Sequence, residues 1–124
     1  EVDKGIETKI LNMLEQSGFQ PPLKEEIAKA LNLQQKQLDD ILKLMAKQGS
    51  LVRVNETMYI TKAVYEKIID ALKNFFSKKK EMTIAEFRDI LNTSRKYALP
   101  ILEYLDTRRI TMRVGDVRKF LVKY

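Results

Sequence analysis

The chain has 124 residues, 44% of them hydrophobic and 32% charged, with 23 Lys+Arg against 17 Asp+Glu and a formal net charge of +6. That is a globular composition, and the length suits one ordinary domain or two compact units of about 60 residues. Cys and His are both absent, which removes disulfides, the usual zinc sites, thiol nucleophiles and imidazole bases and suits a cytoplasmic setting; no apolar run approaches the roughly 18 residues of a membrane span, so no membrane partner is expected.

Taken in chain order, Ile6, Ile10, Met13 and Leu14 recur at helical spacing, and Gly18 with Pro21-Pro22 closes that helix. Residues 23–31 read as a short second helix with Ile27, Ala30 and Leu31 inward, and Asn32-Leu33 as a turn. Residues 34–48 read as a third helix, striped by Leu38, Ile41, Leu42 and Met45 and stopped at Gly49. Two short strands, 51–54 and 58–60, join at Asn55-Glu56. Thr61 then caps a long helix over about 62–79, and Thr83 with Glu86 three residues on is a capping box for the next. Asn92-Thr93 is a turn, and Ser94 caps a helix to about Thr107. Strands over 109–114 and 117–122 flank Gly115-Asp116, a hairpin turn.

This order repeats. Shifting the sequence by sixty places sets Leu31-Asn32 on Leu91-Asn92, Glu26-Ile27 on Glu86-Phe87, and Arg53-Val54 on Arg113-Val114. Three helices and a hairpin make a winged-helix unit, in which helices two and three form a helix-turn-helix and the hairpin is the wing. The fold class expected is therefore mainly α with small β-hairpins, as two tandem winged-helix domains over 1–60 and 61–124. The matched apolar positions, among them Phe75, Phe76, Phe87, Ile101, Leu102, Leu105 and Phe120, read as core.

The charge separates the copies. Residues 1–62 hold nine basic and nine acidic side chains, so the whole surplus of +6 falls in residues 63–124, with every arginine except Arg53. Such asymmetry points to a nucleic-acid or other anionic partner. Gln34-Gln35-Lys36 becomes Ser94-Arg95-Lys96 in the second copy, which puts two cations at a helix start where phosphate is favoured and where cations cost helix stability. Asp39-Asp40 in the first copy stand where Leu99-Pro100 stand in the second, so the first copy is expected to read nucleic acid poorly. Pro100 is expected to distort the first turn of its helix, with Leu99-Pro100 on the exposed side. On the wing, alternation sets Arg109, Thr111 and Arg113 on one face, opposite Ile110, Met112 and Val114, and Arg118 and Lys119 follow on the return strand. Such a basic face also serves as a solvated edge that guards against aggregation. Lys78-Lys79-Lys80 reads first as compensation of a helix C-terminus. Tyr97 is a stacking candidate, Tyr104 a half-buried one. Carboxylates are scattered, and the chain lacks a phosphate-cradling glycine loop and a nucleophile with a base, so no catalysis and no cofactor are expected.

At Ser94-Arg95-Lys96-Tyr97-Ala98, Leu102-Glu103-Tyr104-Leu105-Asp106 and Thr111-Met112-Arg113-Val114-Gly115-Asp116-Val117-Arg118, the second copy resembles the last winged-helix domain of the bacterial selenocysteine-specific translation elongation factors, SelB. The first copy resembles the preceding domain of that family more loosely. The resemblance implies a C-terminal fragment that binds the SECIS hairpin of an mRNA and tethers the factor beside a UGA codon; the fragment is expected to be a monomer, with residues 1–60 as a spacer, protein or ribosome contact. GTPase motifs are absent from this stretch, so GTP, magnesium and tRNA are not expected on it. The RNA site expected is Arg95, Lys96, Arg113 and Arg118, with Ser94, Tyr97, Arg109, Gly115, Asp116 and Lys119 around them and an extruded base in the cleft between helix start and wing. Asp116 reads three ways: it accepts from a guanine edge, orients Arg118, or caps the turn. A winged-helix DNA-binding regulator and a protein-interaction scaffold are the rival readings of the same fold.

Overall fold

A computed structural model describes residues 4–121. The chain divides into two compact units, Glu1–Tyr65 and Glu66–Tyr124. In the first, α1 (Lys4–Ser17), α2 (Lys24–Leu31) and α3 (Gln35–Lys47) precede the antiparallel strands β1 (Leu51–Arg53) and β2 (Tyr59–Thr61). Its core joins Ile10 and Leu14 of α1, Ile27 and Ala28 of α2, Leu38, Leu42 and Met45 of α3, and Leu51 and Tyr59 of the hairpin. Ala28, not Ala30, faces inward: α2 is rotated so that Ala30 is exposed. Asn55 builds the hairpin tip, its Oδ1 accepting from the backbone N–H groups of Thr57 and Met58 at 2.9 Å each.

Lys62 opens α4 (Lys62–Phe76) directly after β2, and Thr61 Oγ1 accepts from the Val64 N–H at 3.1 Å as the expected cap. The helix ends at Phe76, three residues before the expected stop, so Lys78-Lys79-Lys80 lies past it and does not sit on its last turn. Lys79 instead pairs with Glu86 at 2.9 Å and lies 5.7 Å from the Phe75 ring centre. A short strand missing from the sequence reading, β3 (Met82–Thr83), leads into α5 (Ile84–Leu91). After α6 (Arg95–Thr107) come β4 (Thr111–Val114) and β5 (Val117–Phe120), and the sheet order is β3-β5-β4. The expected end of the last strand at Val122 lies outside the described residues. Ile68, Leu72, Met82, Phe87, Leu91, Ala98, Ile101, Leu102 and Leu105 are buried in this unit. Phe75, Phe76 and Phe120 are half-buried rather than fully so, with Phe76 stacked on Phe120 at 5.1 Å.

The capping box forms as expected: Glu86 N–H donates to Thr83 Oγ1 at 3.1 Å, and Thr83 N–H donates to Glu86 Oε1 at 2.8 Å. That backbone donor, helped by the Lys79 ammonium, holds the Glu86 carboxyl below its ordinary value of 4.5. A lowered carboxyl pKa contributes stability fully above the unfolded value and loses it as pH falls through the folded one. Glu86→Gln is therefore expected to cost stability at pH 7, and the gap to wild type to close on acidification below about pH 4.5. Urea midpoints measured at pH 7, 5 and 3 check this; a gap independent of pH would contradict it.

The sixty-residue repeat is exact in the helix-turn-helix. Lys24–Leu31 maps onto Ile84–Leu91, and Gln35–Lys47 onto Arg95–Thr107. Asn32 and Asn92 close α2 and α5 in the left-handed region, at φ 55° and 51°. Asn tolerates this conformation better than most residues, which explains its presence at both turns.

Candidate nucleic-acid interface

Two segments of the second unit carry the expected site. The first is the start of α6. Ser94 occupies the cap position in extended backbone, but its hydroxyl makes no capping hydrogen bond, contrary to expectation. Its carbonyl accepts from Tyr97 and Ala98 at 3.1 and 2.9 Å. Arg95 and Lys96 are exposed, and the Lys96 ammonium lies 5.4 Å from the half-buried Tyr97 ring, a cation–π distance. Two cations thus sit against the positive end of the helix, and no acidic residue stands in its first turn. The helix runs unbroken through Pro100, so the expected distortion does not interrupt it, and Leu99 and Pro100 are half-buried rather than exposed.

The second segment is the wing. Gly115 has φ 62° and Asp116 does not share it, so left-handed backbone is needed only at the first central position of the two-residue turn, where glycine is preferred. Nothing in the chain lies within 4 Å of a Cβ built at Gly115, so no neighbouring side chain requires the glycine, whereas the left-handed turn does. Arg113 is exposed, and its Nε donates to the Gly115 carbonyl at 3.0 Å. Lys119 is exposed opposite Met112.

Arg118 does not belong with these groups. Its side chain is 5% exposed, and its Nε and Nη2 donate to Asp106 Oδ2 at 3.1 and 2.9 Å. Thr111 Oγ1 donates to Asp106 Oδ1 at 2.6 Å. Arg118 therefore ties β5 to the last turn of α6 and is withdrawn from the solvent-facing set; Asp116 does not orient it. The reason is register: Arg113 opposes Arg118 and Thr111 opposes Phe120, so these four share a face, and the half of it nearest the helix is buried. The other face carries Met112 and Val114, each 43% exposed.

Arg109 is not a strand residue either. It closes α6 at φ 60°, its N–H donating to the Asp106 carbonyl and that of Ile110 to the Leu105 carbonyl, both at 3.0 Å. Sixty residues earlier, Gly49 does this work at φ 89° with the same two hydrogen bonds, to Ala46 and Met45. The second unit thus holds an exposed arginine in a conformation that favours glycine. In the first unit the acidity of α3 is partly cancelled, since Asp39 pairs with Lys24 at 2.7 Å; Asp40 remains exposed.

Residues 74–120 match the family profile described as "Elongation factor SelB, winged helix". A selenocysteine-specific elongation factor from Desulfomicrobium baculatum is 35% identical over 115 residues, covering 93% of this chain. The chain belongs to the SelB family. It spans 18% of the length of that relative. Among solved structures, the mRNA-binding domain of Escherichia coli SelB in complex with SECIS RNA shares the fold, with a TM-score of 0.81 at 22% identity over 97% of this chain and all of that one. A bacterial selenocysteine-specific elongation factor EF-Sec matches with a TM-score of 0.72 at 25% identity, over 97% of this chain and 20% of its own. The SelB winged-helix match takes in the α6 start, the Asp106–Arg118 tie and the wing. Among the described residues no helix is long and apolar enough to cross a membrane, and no cluster of acidic side chains suits a metal ion.

Proposed function

We propose that this SelB chain comprises two tandem winged-helix domains and binds a SECIS-type mRNA hairpin through the second of them, tethering a selenocysteine-specific elongation factor near a UGA codon. Residues 61–124 are the RNA-binding domain and residues 1–60 a spacer or protein contact, with the ribosome as the further partner. The fragment itself is monomeric, cytoplasmic and without catalysis or cofactor. One observation carries the reading: the chain's entire charge surplus lies in residues 63–124, the half that contains the SelB winged-helix match, and its exposed cations include Arg95 and Lys96 at a helix start and Arg113 and Lys119 on the wing. The E. coli domain of the same fold is bound to SECIS RNA, which supports the choice of ligand.

The mechanism is electrostatic capture. Arg95, Lys96, Arg113 and Lys119 neutralise phosphates, Arg109 adds a further cation, and Ser94 and Tyr97 flank the helix start. The major groove of an RNA duplex is too deep and narrow for side chains to read, so contacts concentrate on phosphates and on bases freed from the stack. Competition of a SECIS hairpin against duplex DNA of equal length for the full chain tests the reading. Preference for the hairpin, with affinity falling steeply as salt rises, is expected; equal or better binding of the DNA would favour a transcriptional regulator.

Arg109 supplies a second test. Arg109→Gly relieves the left-handed backbone and is expected to stabilise the second domain by about 0.5–1 kcal/mol while weakening hairpin binding. Thermal unfolding and RNA titration of the same variant check the two halves; unchanged affinity would make Arg109 a bystander.

A further inference from the structure

We propose that a groove between the end of α4 and the outward side of α5 docks a short, acidic, amphipathic helix of a separate protein. Ala71, Asn74 and Phe75 of α4, Lys78 and Lys79 just beyond it, and Ile90 of α5 line the groove, which holds about 290 Å³. Phe75 is half-buried and Ile90 is 37% exposed. A lone exposed isoleucine means little. Beside a cleft and a lysine rim it becomes one wall of a binding surface.

The repeat marks this groove as an addition to the scaffold. A shift of sixty-two places lays α4 on α1 and sets Leu72 on Ile10, both fully buried, while α5 lies on α2 at sixty. At the groove positions the first copy has Lys9 for Ala71, Met13 for Phe75, Gln16 for Lys78, Ser17 for Lys79 and Ala30 for Ile90. These exchanges take a long polar side chain off the floor, put an aromatic ring and a branched apolar side chain in the walls, and set two cations on the rim. The winged-helix core is built without them in the first copy.

Charge selects the occupant. Among the described residues Lys78 and Lys80 make no ion pair. The neighbouring acids of α5 are paired within the chain, Glu86 with Lys79 at 2.9 Å and Asp89 with Arg88 at 3.1 Å. An RNA backbone would satisfy the lysines and leave the apolar floor uncovered. The volume falls at the lower limit of roughly 300 Å³ for small-molecule pockets, so it suits an anchoring side chain better than a cofactor. A helix laid in a groove offers such anchors at i and i+3 or i+4. Asp and Glu beside the anchors meet the lysine rim, and complementary charge fixes the register. None of the groove residues belongs to the RNA site proposed above, and the inference does not depend on that site.

The test selects a displayed library of random peptides on the full chain, then titrates the enriched sequence as a synthetic peptide. Enriched peptides are expected to carry Leu, Ile or Phe at helical spacing with flanking Asp or Glu. Ala71→Lys/Ile90→Ala restores the residues of the first copy and should weaken the peptide about tenfold or more, with SECIS hairpin affinity not reduced. Lys78→Gln/Lys79→Ser should weaken it less and flatten its salt dependence. Circular dichroism confirms that both variants are folded. No enrichment, enriched peptides without acidic residues, or peptides that bind Ala71→Lys/Ile90→Ala as they bind wild type would overturn the proposal. So would loss of hairpin affinity in that variant, which assigns the groove to RNA, or self-association of the wild-type chain that the variant abolishes, which assigns it to a second copy.

Discussion

Asp106→Ala is expected to destabilise the second unit by about 3 kcal/mol, the lower end of the range for stranding one member of a buried ion pair. The lower end applies because Asp106 is 23% exposed and water reaches the vacated side, whereas the Arg118 side chain at 5% has nowhere else to go. Domains of this size have about 5–15 kcal/mol in total, so the wing is expected to detach well before the helices melt. Restoring shape without charge should recover most of the loss. Asp106→Leu with Thr111→Val and Arg118→Met removes all three polar partners together, and replacing a buried pair by apolar groups is often neutral or stabilising. Urea unfolding of the full chain, with amide exchange to localise the change to residues 106–120, measures both variants. A cost below about 1 kcal/mol would mean that the pair is solvated and that Arg118 is available to a ligand after all.

The second large effect concerns binding. Arg95→Ala/Lys96→Ala is expected to weaken hairpin affinity by about 1–3 kcal/mol and to lower the slope of log affinity against log salt by about 2, one for each phosphate contact removed. The same double variant should be slightly more stable than wild type. Both cations oppose the dipole at the start of α6, at a cost of roughly 0.3–1 kcal/mol each when exposed. Gain of stability with loss of affinity separates a binding role from a structural one. Unchanged affinity and slope would remove the α6 start from the interface.

Much of the architecture was legible because it is written twice. Helices α2, α3, α5 and α6 and the strand after each helix-turn-helix could be placed from apolar spacing, and the sixty-place shift tied one copy to the other. The Thr83–Glu86 box and the Asn-closed turns obey local rules, so they too could be read from the letters. What local rules could not give was which face of the wing turns inward. Alternation correctly grouped Thr111 with Arg113, but only the pairing of β5 with α6 through Asp106 decides that this polar face is buried and the apolar one exposed. Neither the charge of Arg118 nor its place in the wing motif reveals that it is spent on a partner 12 positions away in sequence. The strand β3 was hidden for the same reason: two residues between a lysine run and a helix cap carry no periodicity, and their partners lie across the sheet. Arg109 shows the opposite case. Its place at a helix terminus was concealed because an arginine stands where the first copy has Gly49, and the stop signal vanished with the glycine.

Thr83 holds two offices at once, since it faces Val117 across the β3–β5 ladder and also caps α5. Arg118, one residue further along β5, is moored to the last turn of α6. Both helices of the helix-turn-helix are thus anchored to the same strand, one at its beginning and the other at its end. The hairpin is therefore not an independent flap: a load applied at its tip is carried both to the first turn of α5 and to the last turn of α6.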